Sequence, residues 1–209
     1  MTTALRLGAD GIWCRVWSTK DGVAVLHPTG RVGGALRRRT LTDLAAVDLP
    51  STVVTLDSLV SHAHQTTLIL DPTGTAVGEA STGESLLHEA RAAGFIDRLW
   101  LVSHDVDQLI AWRHQSAAVR LAHVSRLNSL DGGSERHANR LRTANIDALC
   151  LPAADWNAGQ VTMLHRFRRE AWATGAQHER VIHHVLDMGV DAVCGGFVDR
   201  MVDAATIIG

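Results

Sequence analysis

Short apolar or β-branched runs recur along the chain, each separated from the next by a longer stretch of helical period. The runs occupy residues 11–17, 23–27, 66–71, 98–103, 119–124, 146–151, 170–174 and 192–194. Strands that alternate with helices are joined by right-handed crossovers and lie parallel, so the pattern predicts a barrel or an open α/β sheet. The helical stretches read the same way. Between Ser81 and Gly94, Leu86, Leu87, Ala90 and Ala93 form one stripe, with Ser81 or Thr82 as start and Gly94 as left-handed stop. Val181, Ile182, Val185 and Leu186 form another, ended by Gly189, and residues 105–114 and 158–169 follow suit.

Two stretches break this rhythm: residues 28–39, rich in Gly and Arg, and residues 128–139, which contain Asp131-Gly132-Gly133-Ser134. Both follow predicted strands, on the face where α/β barrels assemble their sites. They read either as ligand-covering loops or as disordered excursions.

Length and composition narrow the picture. A chain of 209 residues with 46% hydrophobic content suits one domain, residues 1–209, although it is short for a complete eight-unit barrel. A formal net charge of −2 gives no general attraction to nucleic acid or anionic membrane, so a partner must be recognised locally. Cys14, Cys150 and Cys194 are odd in number, far apart and set in apolar runs. They read as buried thiols of a reduced compartment, which places the protein in the cytoplasm. No run is long enough to span a bilayer. The histidines include no His-Glu-x-x-His spacing, so no zinc site is expected.

The most specific signal lies between Leu7 and Asp57. It comprises Gly8-Ala9-Asp10-Gly11-Ile12-Trp13-Cys14-Arg15-Val16, then Thr19-Lys20-Asp21-Gly22-Val23-Ala24-Val25-Leu26-His27, then Leu41-Thr42-Asp43-Leu44, then Val54-Thr55-Leu56-Asp57. This resembles the glycerophosphodiester phosphodiesterase family, whose pattern runs Gly-Ala-Asp-x-Ile-Glu-x-Asp-Val, Thr-x-Asp-Gly-x-x-Val-x-x-His-Asp, Leu-Thr-x-x-Glu-Leu and Pro-Thr-Leu-x-Glu. Leu99-Trp100-Leu101-Val102-Ser103 resembles the family's fourth strand, with His104 in place of Phe. Glu170-Ala171-Trp172 resembles the seventh strand, and residues 186–193 resemble the last helix-to-strand junction. The resemblance implies a TIM-type (β/α) barrel.

The family hydrolyses phosphodiesters with a divalent cation held by carboxylates and two histidines acting as acid and base. Here the metal-holding Glu-x-Asp is Trp13-x-Arg15. The third carboxylate aligns with Asp71, and Thr73 stands where a lysine would be. A lone aspartate beside arginine pairs with it more readily than it recruits a hard cation. No metal and no cofactor are therefore expected, where the family would imply Mg or Ca. His27 matches the second catalytic histidine, although Pro28 replaces its Asp, and Gly195-Gly196 replaces the family's Thr-Asp. The His-Arg-Gly strand carrying the first histidine has no counterpart, so the barrel is expected to lack its first strand. The opening would be closed by pairing of the flanking strands or covered by a second copy in an isologous dimer.

These readings assign His27 and Asp71 as catalytic candidates, and Trp13, Arg15, Thr73, Ser103, His104 and Trp172 as ligand-binding candidates. Trp13 and Trp172 would narrow the barrel mouth, either to stack a ligand or to fill the space left by the metal. Arg37-Arg38-Arg39, with Arg31, is either a solvated basic run or a grip for phosphate or carboxylate. The functional expectation is a degenerate family relative, a pseudoenzyme, binding a small anionic or amphipathic metabolite or a protein partner. The alternative is an enzyme using the same pocket: a phosphoric diester hydrolase, or a metal-independent derivative with Arg15 stabilising negative charge.

Overall fold

The computed structural model describes residues 4, 6–34, 38–62, 66–72 and 79–208, and the side chains of residues 79–81 and 206–208 are outside that description. Strands form where the apolar runs predict them: β1 (Gly11–Ser18), β2 (Ala24–Leu26), β6 (Thr67–Asp71), β7 (Leu99–Ser103), β8 (Arg120–Val124), β9 (Ala148–Pro152), β10 (Glu170–Thr174) and β11 (Ala192–Cys194). Three two-residue strands add to these: β3 (Arg31–Val32), β4 (Arg39–Thr40) and β5 (Val54–Thr55).

Contacts divide the chain into two compact units. One comprises residues 11–102 and 115–119; the other comprises residues 1–10, 103–114 and 120–209. The first holds strands in the order β7-β6-β1-β2-β5. There β1 pairs in parallel with β6, and β6 with β7. The second holds β11-β10-β9-β8, with parallel pairing of β10 to both its neighbours and of β8 to β9. Leu68, Ile69, Leu70, Leu99, Trp100 and Leu101 are buried in the first unit, as are Leu121, Ala122, Ala148, Leu149, Cys150 and Ala171 in the second. Burial on both faces explains why these strands read as continuous apolar runs rather than alternating ones. No helix of the described residues is long and apolar enough to cross a membrane.

Three expectations are corrected. First, β2 runs antiparallel to β1 and to β5. The link at residues 19–23 is far shorter than the roughly a dozen residues that a parallel crossover needs. It is a turn built by its polar residues: Thr19 Oγ1 donates to Asp21 at 2.6 Å and accepts from Val23 N, and Gly22 supplies φ +85°. Asp21 also accepts from Ala46 N at 3.0 Å, and the Thr19 hydroxyl and this amide hold its carboxyl below the usual range. The Thr-x-Asp-Gly motif is thus a folding element.

Second, residues 128–139 are neither a covering loop nor an excursion. Leu127–Ser129 is a 3-10 turn, and Gly133–Thr143 is a helix whose His137, Ala138 and Leu141 face the core. Gly132 and Gly133, at φ +73° and +83°, make the tight entry that the composition disguised as a loop. Third, the helix predicted to begin at Ser81 or Thr82 begins at Glu79, so those residues are not its cap. Leu86, Leu87 and Ala90 are buried on its inner stripe, whereas Ala93 lies exposed beyond the end. Gly94, at φ +70°, terminates it, with Phe95 N returning to Ala90 O.

Candidate functional site

The C-terminal ends of β2 and β6 flank Arg15 in the middle of β1 and bring three of the predicted residues near one another in the first unit. Parallel register sets Arg15 of β1 opposite Asp71, the last residue of β6. Arg15 Nε lies 3.5 Å from Asp71 Oδ2, with the Arg15 side chain 53% exposed and that of Asp71 10% exposed. The carboxylate is therefore sunk into the sheet end with a guanidinium over it. Trp13 precedes Arg15 by two positions and shares its face of β1, half-buried.

His27 follows β2, and its amide donates to Arg15 O at 3.1 Å, extending the β1–β2 ladder by one rung. Its ring is fixed by the backbone beyond it: Nδ1 accepts from Thr29 N at 3.2 Å and Gly30 N at 3.0 Å. Two amide donors on one nitrogen require a lone pair there, so the neutral ring carries its proton on Nε2. Pro28, which has no amide N–H, allows this turn because only the amides of Thr29 and Gly30 are used. His27 O in turn accepts from Trp17 Nε1 at 2.6 Å. Cys14, between Trp13 and Arg15 on β1, has its thiol pushed up by burial. Thr73 lies outside the described residues. Among the described residues, no three His, Cys, Asp or Glu side chains form a group that could hold a metal ion.

Ser103, His104 and Trp172 belong with the second unit, each already engaged. Ser103 is buried and its Oγ accepts from Asp105 N at 2.9 Å, and Asp105 Oδ1 then accepts from Asp107 N at the start of Val106–Gln115. His104 is exposed and its Nδ1 donates to Val124 O at 2.9 Å. Trp172 is buried; its Nε1 donates to Glu170 Oε2 at 3.0 Å, which turns its polar edge toward the start of β10 rather than the end, and its carbonyl accepts from Trp156 Nε1.

A feature the sequence reading missed sits behind His104. The His104 carbonyl can only accept, so His123 Nε2, 3.2 Å away, is the donor. The neutral His123 ring then has its lone pair on Nδ1, and His137 Nε2 donates to it at 3.0 Å. His137 Nδ1 is left as a buried acceptor without a hydrogen-bond partner. Burial first, and then the neighbouring His137, push His123 down to about 4; burial and Arg140 also lower His137. The only sequence signal was a histidine inside the apolar run Leu121-Ala122-His123-Val124, with a second on the inner stripe of the following helix.

The Gly- and Arg-rich stretch also acquires structure. β3 and β4 pair with Arg31 opposite Thr40 and Val32 opposite Arg39. A cavity of about 490 Å³ beside them is lined by Trp17, Thr29, Arg31, Gly33, Arg38 and Thr40. Arg37 lies outside the described residues.

The fold is that of the α/β barrels of glycerophosphodiester phosphodiesterases. Among solved structures, an Oleispira antarctica phosphodiesterase in complex with the product sn-glycerol-3-phosphate matches with TM-score 0.81 and 14% identity, over 96% of this chain and 87% of that one. The glycerophosphodiester phosphodiesterase of Thermotoga maritima matches with TM-score 0.78 and 13% identity, over 99% and 88%. One from Parabacteroides distasonis matches with TM-score 0.79 and 14% identity, over 99% and 87%. No family model and no curated protein sequence matches the chain.

Proposed function

We propose that this chain is a diverged relative of the glycerophosphodiester phosphodiesterases that has lost metal-dependent hydrolysis and binds a small anionic or amphipathic metabolite around Arg15 of β1, flanked by the C-terminal ends of β2 and β6. The observation that carries this reading is the Arg15–Asp71 pair. Where the family resemblance calls for the first two metal-holding carboxylates, this chain has Trp13 and Arg15, neither of which can donate a carboxylate oxygen. The one carboxylate left faces a guanidinium. A hard divalent cation needs several oxygen ligands and would have to displace a fixed positive charge, so this donor set does not fit Mg or Ca. Half-exposed Arg15 is instead suited to a phosphate or carboxylate of a ligand, with Trp13 as an apolar neighbour.

The test is metal analysis of the purified protein together with hydrolysis of a glycerophosphodiester, with and without added Mg²⁺ or Ca²⁺. Absence of stoichiometric metal and of metal-dependent turnover is expected. Bound metal with metal-dependent turnover overturns the reading.

A second reading, metal-independent chemistry, draws on the geometry of His27. A ring held by two amides at Nδ1, with its proton on Nε2, is a pre-oriented proton donor on the strand beside Arg15, with Asp71 on the strand at the other side of Arg15. Turnover that survives EDTA and is lost in His27→Asn would favour it. The three cysteines, none of them in a disulfide among the described residues, support a reducing, cytoplasmic setting.

A further inference from the structure

We propose that the β3–β4 hairpin and Trp17 form a second ligand site, one that takes an organic phosphate monoester with its phosphoryl group between Arg31 and Arg38 and its apolar part against the indole. The placement follows from strand alternation. Val32 turns inward to the cluster of Val25, Leu41 and Leu44. Arg31 therefore faces the opposite way, and its partner Thr40 lies on the same face. Arg38, two positions before Thr40, joins them, and all three line the cavity with Trp17, Thr29 and Gly33.

Three features of the lining define its chemistry. Among the described residues, no acidic side chain is part of it and neither Arg31 nor Arg38 forms an ion pair. Two guanidinium groups facing one concave space repel each other until a dianion enters, and forked N–H donors match phosphoryl oxygens. The hydroxyls of Thr29 and Thr40 add hydrogen-bonding capacity at the same wall.

The third feature is the aromatic wall. Trp17 cannot swing away, because its Nε1 is bonded to His27 O and its six-membered ring lies against Gly30, where a Cβ would come within 2.4 Å. With the N–H already spent, the indole offers the cavity only apolar surface. A bare phosphate would leave that surface unused, while a phosphate carrying a ring would cover it. A volume of about 490 Å³ accommodates such a molecule.

This site is independent of the reading of Arg15 and Asp71, and either can fail alone. Adenosine monophosphate, adenosine and inorganic phosphate serve as probes, titrated into the full-length protein by calorimetry. The variants are Arg31→Gln, Arg38→Gln and Trp17→Phe, with Arg180→Gln as an exposed control. Tightest binding is expected for the monophosphate. Arg31→Gln and Arg38→Gln should each weaken it by about tenfold or more, the loss typical of one charge-assisted contact, while Arg180→Gln leaves it unchanged. Circular dichroism of the exposed arginine variants establishes that they fold. No measurable binding of the monophosphate, or equal losses in Arg180→Gln, overturns the site. Equal affinity for inorganic phosphate and the monophosphate, or no effect of Trp17→Phe, overturns the apolar part.

Discussion

The buried pair His123–His137 makes stability depend on pH in a calculable way. His123 is 5% exposed and His137 3% exposed, and the relay from the His104 carbonyl through both rings is complete only when both are neutral. A second proton on His123 would have to sit on Nδ1, facing the His137 N–H. In the unfolded chain both rings titrate near the ordinary value of about 6.5. Folding holds His123 at about 4, so between these values the unfolded state binds a proton that the native state refuses. Stability is thus intact above pH 6.5 and falls as pH drops through the window to about 4, where the loss levels off. The full 2.5-unit gap corresponds to about 3 kcal/mol, and the part between pH 7 and pH 5 to about 2 kcal/mol. His137 is shifted in the same direction and adds to it. Urea unfolding followed by circular dichroism at half-unit pH steps reads this out. With a slope of about 2 kcal/mol per molar, the midpoint should fall by about 1 M between pH 7 and pH 5. His123→Gln retains a donor for His104 O and removes the titration, so its midpoint should start lower but change much less with pH. A variant with the same pH dependence as the parent protein would refute the reasoning.

Four further outcomes are expected. Gly30→Ala places a Cβ against the Trp17 ring at φ +67° and should cost about 2–3 kcal/mol, lowering Tm by roughly 5–10 °C. A double-mutant cycle with Arg15→Gln and Asp71→Asn should give a coupling of about 0.5–1 kcal/mol, because Arg15 is half-exposed and water screens the pair; a coupling near zero would mean that the ion pair does not form in solution. Burial raises the thiol of Cys150 well above its ordinary range and pushes Cys194 up to about 12, so Ellman's reagent should react with neither in the native protein at pH 8, and with all three thiols once it is unfolded. If a second copy covers an open strand edge, light scattering will give the mass of two chains, and a single-chain mass across micromolar concentrations counts against that dimer.

Most strands could be placed from the sequence because a strand buried on both faces must be apolar along its length, and that demand is written residue by residue from Thr67 to Cys194. That Trp13 and Arg15 carry no carboxylate was equally legible, since it is a matter of residue type. Direction and partnership were not. Whether β2 ran parallel depended on the length and hydrogen bonding of the Thr19–Val23 turn, and whether Asp131-Gly132-Gly133-Ser134 was a loop depended on the packing of Ala138 and Leu141 beyond it. Tertiary structure alone decided that Arg15 meets Asp71, that Arg31 and Arg38 share a cavity wall with Trp17, and that His123 meets His137. Each of these pairs joins residues from separate segments, and a local pattern carries no record of which side chains the register of neighbouring strands and helices will bring within hydrogen-bonding reach.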